Sequence, residues 1–266
     1  MRKILFFDID DTLTSELDGT IPVSAIEAIK RVRAAGHLAW VNTGRCVNTL
    51  SPRMADLEFD GYICGCGTEI LNGKLEPIWE TPRPDCMEEL IAASQEAGAD
   101  LLLEGRLHTA FLPFAVPTTL SAAHHRDDFA RKGIRLSDPH QEGFSFSKFC
   151  VWVHEREDIR PVLRVTDSRF TCIDRGFRRN TWLFEFIPKE CSKAIGMQQV
   201  CDMYGIPITD SYAFGDSNND LPMFEAAGHR IAMGNSTSER IRQMADYITG
   251  KASEDGLAQA LDLILR

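Results

Sequence analysis

The sequence predicts an α/β fold in which a parallel-sheet core is interrupted by a separate α+β insertion. Short apolar strands alternate with amphipathic helices at both ends of the chain, the pattern of a parallel sheet covered by helices. In the middle of the chain, strands outnumber helices and turn signals separate them. We therefore assign residues 1–82 and 188–266 to one discontinuous core domain, and residues 83–187 to an inserted domain.

The first segment of the core predicts strands joined by helices, followed by a hairpin. Its strands are short apolar runs, its helices carry apolar residues on one face, and Asn72-Gly73 is a strong hairpin signal. The predicted elements are strand Lys3–Phe7, helix Pro22–Ala35, strand Leu38–Val41, helix Val47–Leu57 with a break or restart near Pro52, strand Tyr62–Cys64, and hairpin strands Glu69–Leu71 and Leu75–Trp79.

The insertion predicts an antiparallel sheet that carries helices on one face, because its strands come in pairs separated by turn residues. Its predicted elements are helix Cys86–Ala97, strands Leu101–Leu103 and Leu107–Leu112, helix Leu120–Arg131, strand Ser147–His154, helix Ile159–Val165, and strands Arg169–Ile173 and Asn180–Ile187. The alternating pattern then resumes with helix Cys191–Tyr204, strand Ser211–Phe214, helix Leu221–Ala227, strand Arg230–Ala232, helix Ser238–Met244, strand Tyr247–Ile248 and helix Leu257–Leu265.

Composition favours a protein that acts on small molecules. The 266 residues carry a net charge of −10 without a long basic stripe, which argues against nucleic acid as a partner. The apolar run before Asp8 is too short for a signal peptide and no apolar stretch reaches about 20 residues, so we expect neither a signal peptide nor a membrane span. The scattered cysteines form no Cys-x-x-Cys pair and predict reduced thiols. We expect a cytoplasmic protein that is a monomer or a weak homo-oligomer.

Carboxylates follow two of the predicted core strands. Asp8 and Asp10 come at the end of the first strand, where strand alternation would place them on one side and Asp11 on the other. Asp216 and Asp220 follow strand Ser211–Phe214. Two charges 4 Å apart repel by about 4 kcal/mol at an effective dielectric of about 20, so a cation would stabilise the group. A cluster of carboxylate oxygens favours Mg²⁺ as that cation. The alternative is that these aspartates are turn or capping residues, as isolated aspartates at strand ends usually are.

Two further segments of the sequence carry residues that fit an anionic ligand. Thr43 and Arg45 follow strand Leu38–Val41, where a hydroxyl and a guanidinium could bind phosphate oxygens. Lys193 opens a predicted helix, where a positive charge is unfavourable unless an anion lies nearby. An ordinary turn at Thr43 and a surface position for Lys193 are the alternatives.

Together, the two carboxylate segments, the Thr43 segment and Lys193 resemble the four sequence motifs of the haloacid dehalogenase-like (HAD) superfamily of phosphatases. The matching motifs are Asp8-Ile9-Asp10-Asp11-Thr12, Asn42-Thr43-Gly44-Arg45, Lys193, and Gly215-Asp216-Ser217-Asn218-Asn219-Asp220. The insertion resembles the type IIB cap of the Cof-type sugar phosphatases. The resemblance implies a Rossmann-like core with an inserted α+β cap domain. Asp11, Cys66 and Ala194 depart from the family pattern, which usually has Gly, Asn and Gly at those positions.

The resemblance also implies a role for each motif. Asp8 resembles the nucleophile that becomes an aspartyl phosphate, and Asp10 the general acid and base. The Asp8 carboxylate, the Asp10 carbonyl and Asp216 would hold Mg²⁺. Phosphate and substrate contacts would come from Thr43, Gly44, Arg45, Lys193 and Asn219, with Asp220 supporting Lys193.

The predicted function is Mg²⁺-dependent hydrolysis of small phosphate monoesters, with sugar phosphates as the favoured class. Arg179, Asn180 and Trp182 are candidates for substrate specificity in the cap, although ordinary packing would also explain them. A phosphomutase would keep the phosphoryl group and resembles the same pattern. A sugar-phosphate sensor that binds without turnover is the alternative from another class.

Overall fold

The structure is a computed structural model that describes residues 2–51, 54, 57–112 and 117–265. The predicted α/β fold class is confirmed. The chain divides into two compact units. The first unit comprises Met1–Arg45, Ser51–Glu80 and Ser192–Arg266, and the second comprises Cys46–Leu50 and Thr81–Cys191. The assignment of the second unit as a cap stays a prediction.

Strands and helices follow the predicted order. The described strands are β1 Ile4–Phe7, β2 Leu38–Asn42, β3 Gly61–Cys64, β4 Glu69–Asn72, β5 Pro77–Glu80, β6 Asp100–Glu104, β7 Thr109–Leu112, β8 Lys148–Val153, β9 Phe170–Arg178, β10 Thr181–Pro188, β11 Ser211–Gly215, β12 His229–Ala232 and β13 Tyr247–Ile248. The described helices are α1 Val23–Ala34, α2 Met87–Glu96, α3 Leu120–Arg131, α4 Arg160–Thr166, α5 Lys193–Tyr204, α6 Leu221–Ala226, α7 Glu239–Met244 and α8 Gly256–Ile264.

The sheet of the first unit has the order β13-β12-β11-β1-β2-β3-β4-β5. Pairing is parallel from β13 to β3, and β4 and β5 add an antiparallel edge. In the central strand, Phe7 is in register with Val41 of β2 and with Phe214 of β11. The carboxyl ends of β1, β2 and β11 therefore meet at one edge of the sheet, where open α/β sheets bind ligands.

The core of the first unit explains why β1 is uniformly apolar. All four of its residues are buried, as expected for a parallel strand covered on both faces. Ile4 and Phe6 pack in one cluster with Met197 of α5 and Phe224 of α6. Burial of this kind contributes about 25 cal/mol per Å² of apolar surface, so β1 anchors the site at its end.

The second unit contains a five-stranded antiparallel sheet in the order β7-β6-β8-β10-β9. The prediction that its helices lie on one face is wrong. Helices α2 and α4 contribute to the apolar cluster on one side, whereas Ala122 and Phe129 of α3 pack with Leu102 and Trp152 on the other. Strand β6 carries buried leucines at consecutive positions, so both faces of the sheet require cover.

The described start of the predicted helix Val47–Leu57 is a 3₁₀ turn instead of an α-helix, and the chain leaves the helical conformation close to the break predicted near Pro52. A single 3₁₀ turn, Val47–Thr49, ends at Leu50, whose ψ of 143° is extended. The next residue precedes a proline, and this position disfavours the helical conformation. Pro52, Arg53, Ala55 and Asp56 lie outside the described residues. Throughout the described ranges, no helix combines the length and apolar character that crossing a membrane requires.

Candidate active site

Asp8 stands at the end of the central strand. Its backbone N–H donates to the Phe214 carbonyl at 3.0 Å, which continues the pairing of β1 with β11 by one residue. The side chain is only 4% exposed. A short helical turn, Ile9–Leu13, follows directly and carries the chain away from the sheet. The strand therefore delivers a carboxylate into the protein interior at the carboxyl edge of the sheet.

Lys193 binds two carboxylates at once. Its Nζ donates to Oδ1 of Asp8 and to Oδ1 of Asp220, each at 2.6 Å. All three side chains are buried, and a buried ammonium persists because both anions compensate for lost hydration. The prediction of an anionic environment for Lys193 agrees with this geometry, and a surface position does not.

Helix α5 holds Lys193 through a cap and two close approaches. The Ser192 side chain accepts the Ile195 N–H at 3.0 Å and caps the helix. A Cβ on Gly67, whose φ is +92°, would lie 2.3 Å from the Ser192 carbonyl oxygen. A Cβ on Gly196 would lie 2.6 Å from the Ile63 side chain. The start of α5 thus packs directly against the segment that follows β3.

Asp220 organises the loop after β11. Its Oδ2 accepts the backbone N–H groups of Asp216 and Ser217 at 3.0 and 3.1 Å, while its Oδ1 accepts from Lys193. Asp220 therefore accepts three hydrogen bonds on its two oxygens and links Lys193 to the loop after β11. Its position fits the predicted supporting role, which stays a prediction.

Three further polar residues, to which the sequence assigned no role, contact this site. Thr12 is buried and donates from Oγ1 to Oδ1 of Asp216 at 3.1 Å. Ser236 donates from its hydroxyl to the Asp216 carbonyl. Asn42, also buried, donates from Nδ2 to the Lys193 carbonyl at 3.0 Å. The available signal for Asn42 was a polar residue at the end of an otherwise apolar strand, and for Thr12 it was the motif that also contains Asp8 and Asp10.

Burial dominates the electrostatics of the site. It raises the pKa of Asp8 from 3.8 to about 7, against the opposing charge of Lys193. Burial, with Asp220 and Asp8 adding to it, raises the pKa of Asp216 to about 8. For Lys193, burial lowers the pKa, but the attraction of Asp220 and Asp8 outweighs it and raises the pKa above the ordinary range. Two carboxyls therefore resist ionisation while the lysine stays charged.

This arrangement fits a divalent cation. Carboxylate oxygens of Asp8, Asp216 and Asp220 all lie within 4.8 Å of one another. When ionised, these three carboxylates exceed the single ammonium of Lys193 by two negative charges. A hard divalent cation would neutralise that excess and lower both raised pKa values. Asp220 already accepts from three donors, which leaves more acceptor capacity on Asp8 and Asp216, and the predicted metal ligands Asp8, Asp10 and Asp216 stay a prediction.

Asp10 faces a different partner from Asp8. The strand alternation that predicted a shared side for Asp8 and Asp10 is wrong, because β1 ends at Phe7 and Asp10 lies in the turn with ψ of 125°. The charge of Asp10 nevertheless lies close enough to Asp8 to raise the pKa of Asp8. The Asp10 carboxylate is 55% exposed and forms a two-bond ion pair with Arg45. Asp11 follows with a left-handed φ of 58°, consistent with the turn role predicted for it.

The remaining predicted residues of the first unit lie on neighbouring loops. Thr43 is buried directly after β2, and its Oγ1 accepts the Arg45 N–H at 3.2 Å. Gly44 is half-buried beside it. Asn219 is half-buried in the loop after β11 and pairs with the Ser217 hydroxyl. Their predicted contacts to phosphate and substrate stay predictions.

In the second unit, the three specificity candidates occupy one hairpin. Arg179 and Asn180 have φ of +51° and +60° and form the two-residue turn between β9 and β10. Trp182 packs on Phe177, with ring centroids 5.3 Å apart, and on the Arg156 guanidinium. Turn geometry and packing account for these positions, and their predicted role in specificity stays a prediction.

The family model described as haloacid dehalogenase-like hydrolase matches residues 5–261. The chain is 41% identical over 296 residues to the 5-amino-6-(5-phospho-D-ribitylamino)uracil phosphatase YwtE of Bacillus subtilis, covering 99% of this chain and 98% of that protein. It is 26% identical over 271 residues to the phosphatase YitU, named for the same substrate in the same organism, covering 97% of this chain and 96% of YitU.

A solved structure shares the fold. The HAD subclass IIB sugar phosphatase BT4131 aligns with a TM-score of 0.79 at 24% identity, covering 98% of each chain. The family match and the full-length relatives together show that this chain belongs to the haloacid dehalogenase-like hydrolases. It is accordingly an enzyme, and its class is that of the phosphatases.

Proposed function

We propose that this enzyme hydrolyses small phosphate monoesters carried on sugars or sugar alcohols, with Mg²⁺ as its cofactor. The observation that carries the proposal is the buried contact of Lys193 with both Asp8 and Asp220, beside Asp216. This constellation combines a carboxylate nucleophile with a fixed positive charge. Phosphoryl transfer requires both, because its chemistry consists largely of positioning and charge stabilisation.

In the first step, the Asp8 carboxylate attacks phosphorus, and the bond from phosphorus to the leaving oxygen breaks. Asp10 donates a proton to the departing alkoxide, which leaves as an alcohol. The product on the protein is an aspartyl phosphate. Lys193 lies within hydrogen-bond distance of Asp8 and would stabilise negative charge on the phosphoryl oxygens as they approach.

In the second step, water attacks the aspartyl phosphate at phosphorus. Asp10 accepts a proton from that water, the bond between phosphorus and Asp8 breaks, and inorganic phosphate leaves. Thr43, Gly44 and Asn219 would bind phosphoryl oxygens during both steps. When bound by Asp8, Asp216 and the Asp10 carbonyl, Mg²⁺ would neutralise the excess negative charge of the site and of the phosphoryl group.

The proposed substrate class draws on the relatives. YwtE, 41% identical over nearly the whole chain, is named for a substrate whose phosphate is carried on a ribityl group. BT4131, which shares the fold, is a sugar phosphatase. Both names describe a phosphate ester on a polyhydroxylated carbon chain, and we propose this class for the present enzyme. The raised pKa values of Asp8 and Asp216 support the cofactor, because a divalent cation would restore their ionised forms.

The test is phosphate release from sugar phosphates, ribityl phosphates and nucleotides, with Mg²⁺ and with chelator. We expect turnover that requires the metal and that Asp8→Asn abolishes. Asp11→Asn is the matched control, because it changes a neighbouring aspartate that is exposed, and asparagine tolerates the same left-handed conformation. Turnover that survives Asp8→Asn or chelation would contradict the proposal, as would equal losses in Asp8→Asn and Asp11→Asn.

A further inference from the structure

The ion pair between Arg45 and Asp10 has a geometry that constrains the side chain expected to transfer protons. The Arg45 Nε donates to Oδ2 of Asp10 at 2.9 Å, and a terminal guanidinium nitrogen donates to Oδ1. Two parallel bonds between a planar guanidinium and a carboxylate fix orientation as well as distance. A single point contact would leave the carboxylate free to rotate about its own bonds.

Of the two partners, Arg45 is the anchored one. Its N–H donates to the Thr43 hydroxyl at 3.2 Å, and its carbonyl accepts the Gly65 N–H at 2.8 Å. These bonds tie its backbone to the ends of β2 and β3. Asp10 lies instead in a turn with non-helical dihedral angles, and its side chain is 55% exposed against 26% for Arg45.

We propose that Arg45 is a positioning residue that orients the Asp10 carboxyl group for both of its proton transfers. This inference rests on the function proposed above, in which Asp10 protonates the leaving group and then activates water. A general acid or base acts only within hydrogen-bond reach of the proton it transfers. The guanidinium fork supplies that placement from a fixed backbone, where the turn alone would allow several rotamers.

This role differs from the phosphate contact predicted for Arg45 from the sequence. A residue that binds phosphate contributes equally whichever alcohol leaves. A residue that orients the general acid matters most when the leaving group is a poor one. An alkyl phosphate needs protonation of its leaving oxygen, whereas p-nitrophenyl phosphate releases a stable phenolate without it.

The experiment compares kcat/KM for an alkyl phosphate and for p-nitrophenyl phosphate, because kcat/KM reports the steps up to departure of the leaving group. Positioned acid–base groups contribute about 10²–10⁴-fold, and Arg45→Gln retains Asp10, so we expect kcat/KM for the alkyl phosphate to fall by about 10–100-fold. For p-nitrophenyl phosphate we expect less than about a threefold change in kcat/KM, while kcat falls because water activation also needs Asp10.

Two variants make the comparison specific. Arg45→Lys keeps the charge but not the fork, and should show an intermediate loss with the same dependence on leaving group. Arg33→Gln is the matched control, because Arg33 forms a similar fork on Asp60, with bonds of 3.1 and 3.0 Å, elsewhere in the first unit. The Arg33→Gln variant should change kcat/KM for the alkyl phosphate and for p-nitrophenyl phosphate by equal factors. Thermal melting of each variant identifies any loss of folding.

The outcomes separate this inference from the proposed function. If the unmodified enzyme releases phosphate from neither substrate, the proposed function fails. If it turns over both, but Arg45→Gln lowers kcat/KM for the two substrates equally or not at all, the positioning role is overturned. An equal loss would indicate the phosphate contact instead.

Discussion

Replacing Asp220 by asparagine tests whether the buried charges depend on one another. The change preserves the size of the side chain but removes one of the two anions that compensate Lys193. It also places an amide where Oδ1 accepts from the ammonium and Oδ2 accepts two backbone N–H groups. At most one of these two roles can be kept by the amide oxygen.

The expected magnitude follows from the burial of the pair. Breaking a buried ion pair by removing one partner costs about 3–5 kcal/mol, and we expect about 3 kcal/mol here because Asp8 still contacts the ammonium. For a chain of this size, 1 kcal/mol shifts the melting temperature by about 2–4 °C, so the variant should melt about 6–12 °C below the unmodified protein. The measurement is thermal melting in the presence of chelator.

Asp262→Asn is the matched control. Asp262 pairs with Arg31 at 2.6 Å, but both side chains are about half exposed, at 51% and 49%. Exposed pairs contribute about 0–1 kcal/mol, so this variant should melt within a few degrees of the unmodified protein. Equal shifts for Asp220→Asn and Asp262→Asn would refute the reasoning, since they would show that burial does not control the cost.

Three further changes have defined outcomes. Asp11→Gly should retain activity within a few-fold and raise the free energy of unfolding by up to about 1 kcal/mol, because glycine adopts the left-handed φ of 58° without strain. An activity loss as large as that of Asp8→Asn would contradict the turn role of Asp11. Gly67→Ala should lower stability by about 2 kcal/mol or more in chemical denaturation, because its Cβ would meet the Ser192 carbonyl at 2.3 Å; unchanged stability contradicts the close approach. Without metal, the free energy of unfolding should fall as the pH rises from about 6 to about 8. Folded Asp8 and Asp216, with pKa values of about 7 and about 8, hold protons there that the unfolded chain has already released. Mg²⁺ should therefore raise the melting temperature more at the upper end of that range, and a chelated protein whose stability rises with pH there contradicts the assignment.

The location of the site was predictable from local sequence, whereas its pairings were not. Apolar runs ending in Asp8, Thr43 and Asp216 indicate three strand ends, and parallel strands bring such ends to one edge. The partner of Asp10 depends on how the chain turns after Phe7, and that turn includes a left-handed residue which strand alternation does not anticipate. The two-bond contact with Arg45 follows from the turn.

Packing explains the errors elsewhere in the chain. Helix α3 covers the second face of the antiparallel sheet, because Leu102 and Trp152 point away from the cluster that contains Leu101. Periodicity identifies α3 as a helix but not the face it covers, which depends on strands distant in sequence. In the predicted helix Val47–Leu57, Ser51 directly precedes a proline, a position that disfavours the helical conformation, and Leu50 before it is already extended.

The most direct test of the central claim is whether Asp8 becomes phosphorylated. Asp10→Asn should still be phosphorylated by p-nitrophenyl phosphate, whose leaving group needs no acid, but should hydrolyse the aspartyl phosphate slowly because it lacks the base. We predict a burst of p-nitrophenolate equal to the enzyme concentration, with one phosphoryl group found by mass spectrometry on the acid-quenched peptide containing Asp8. The same burst without protein phosphorylation, or with the phosphoryl group on another residue, would contradict the account.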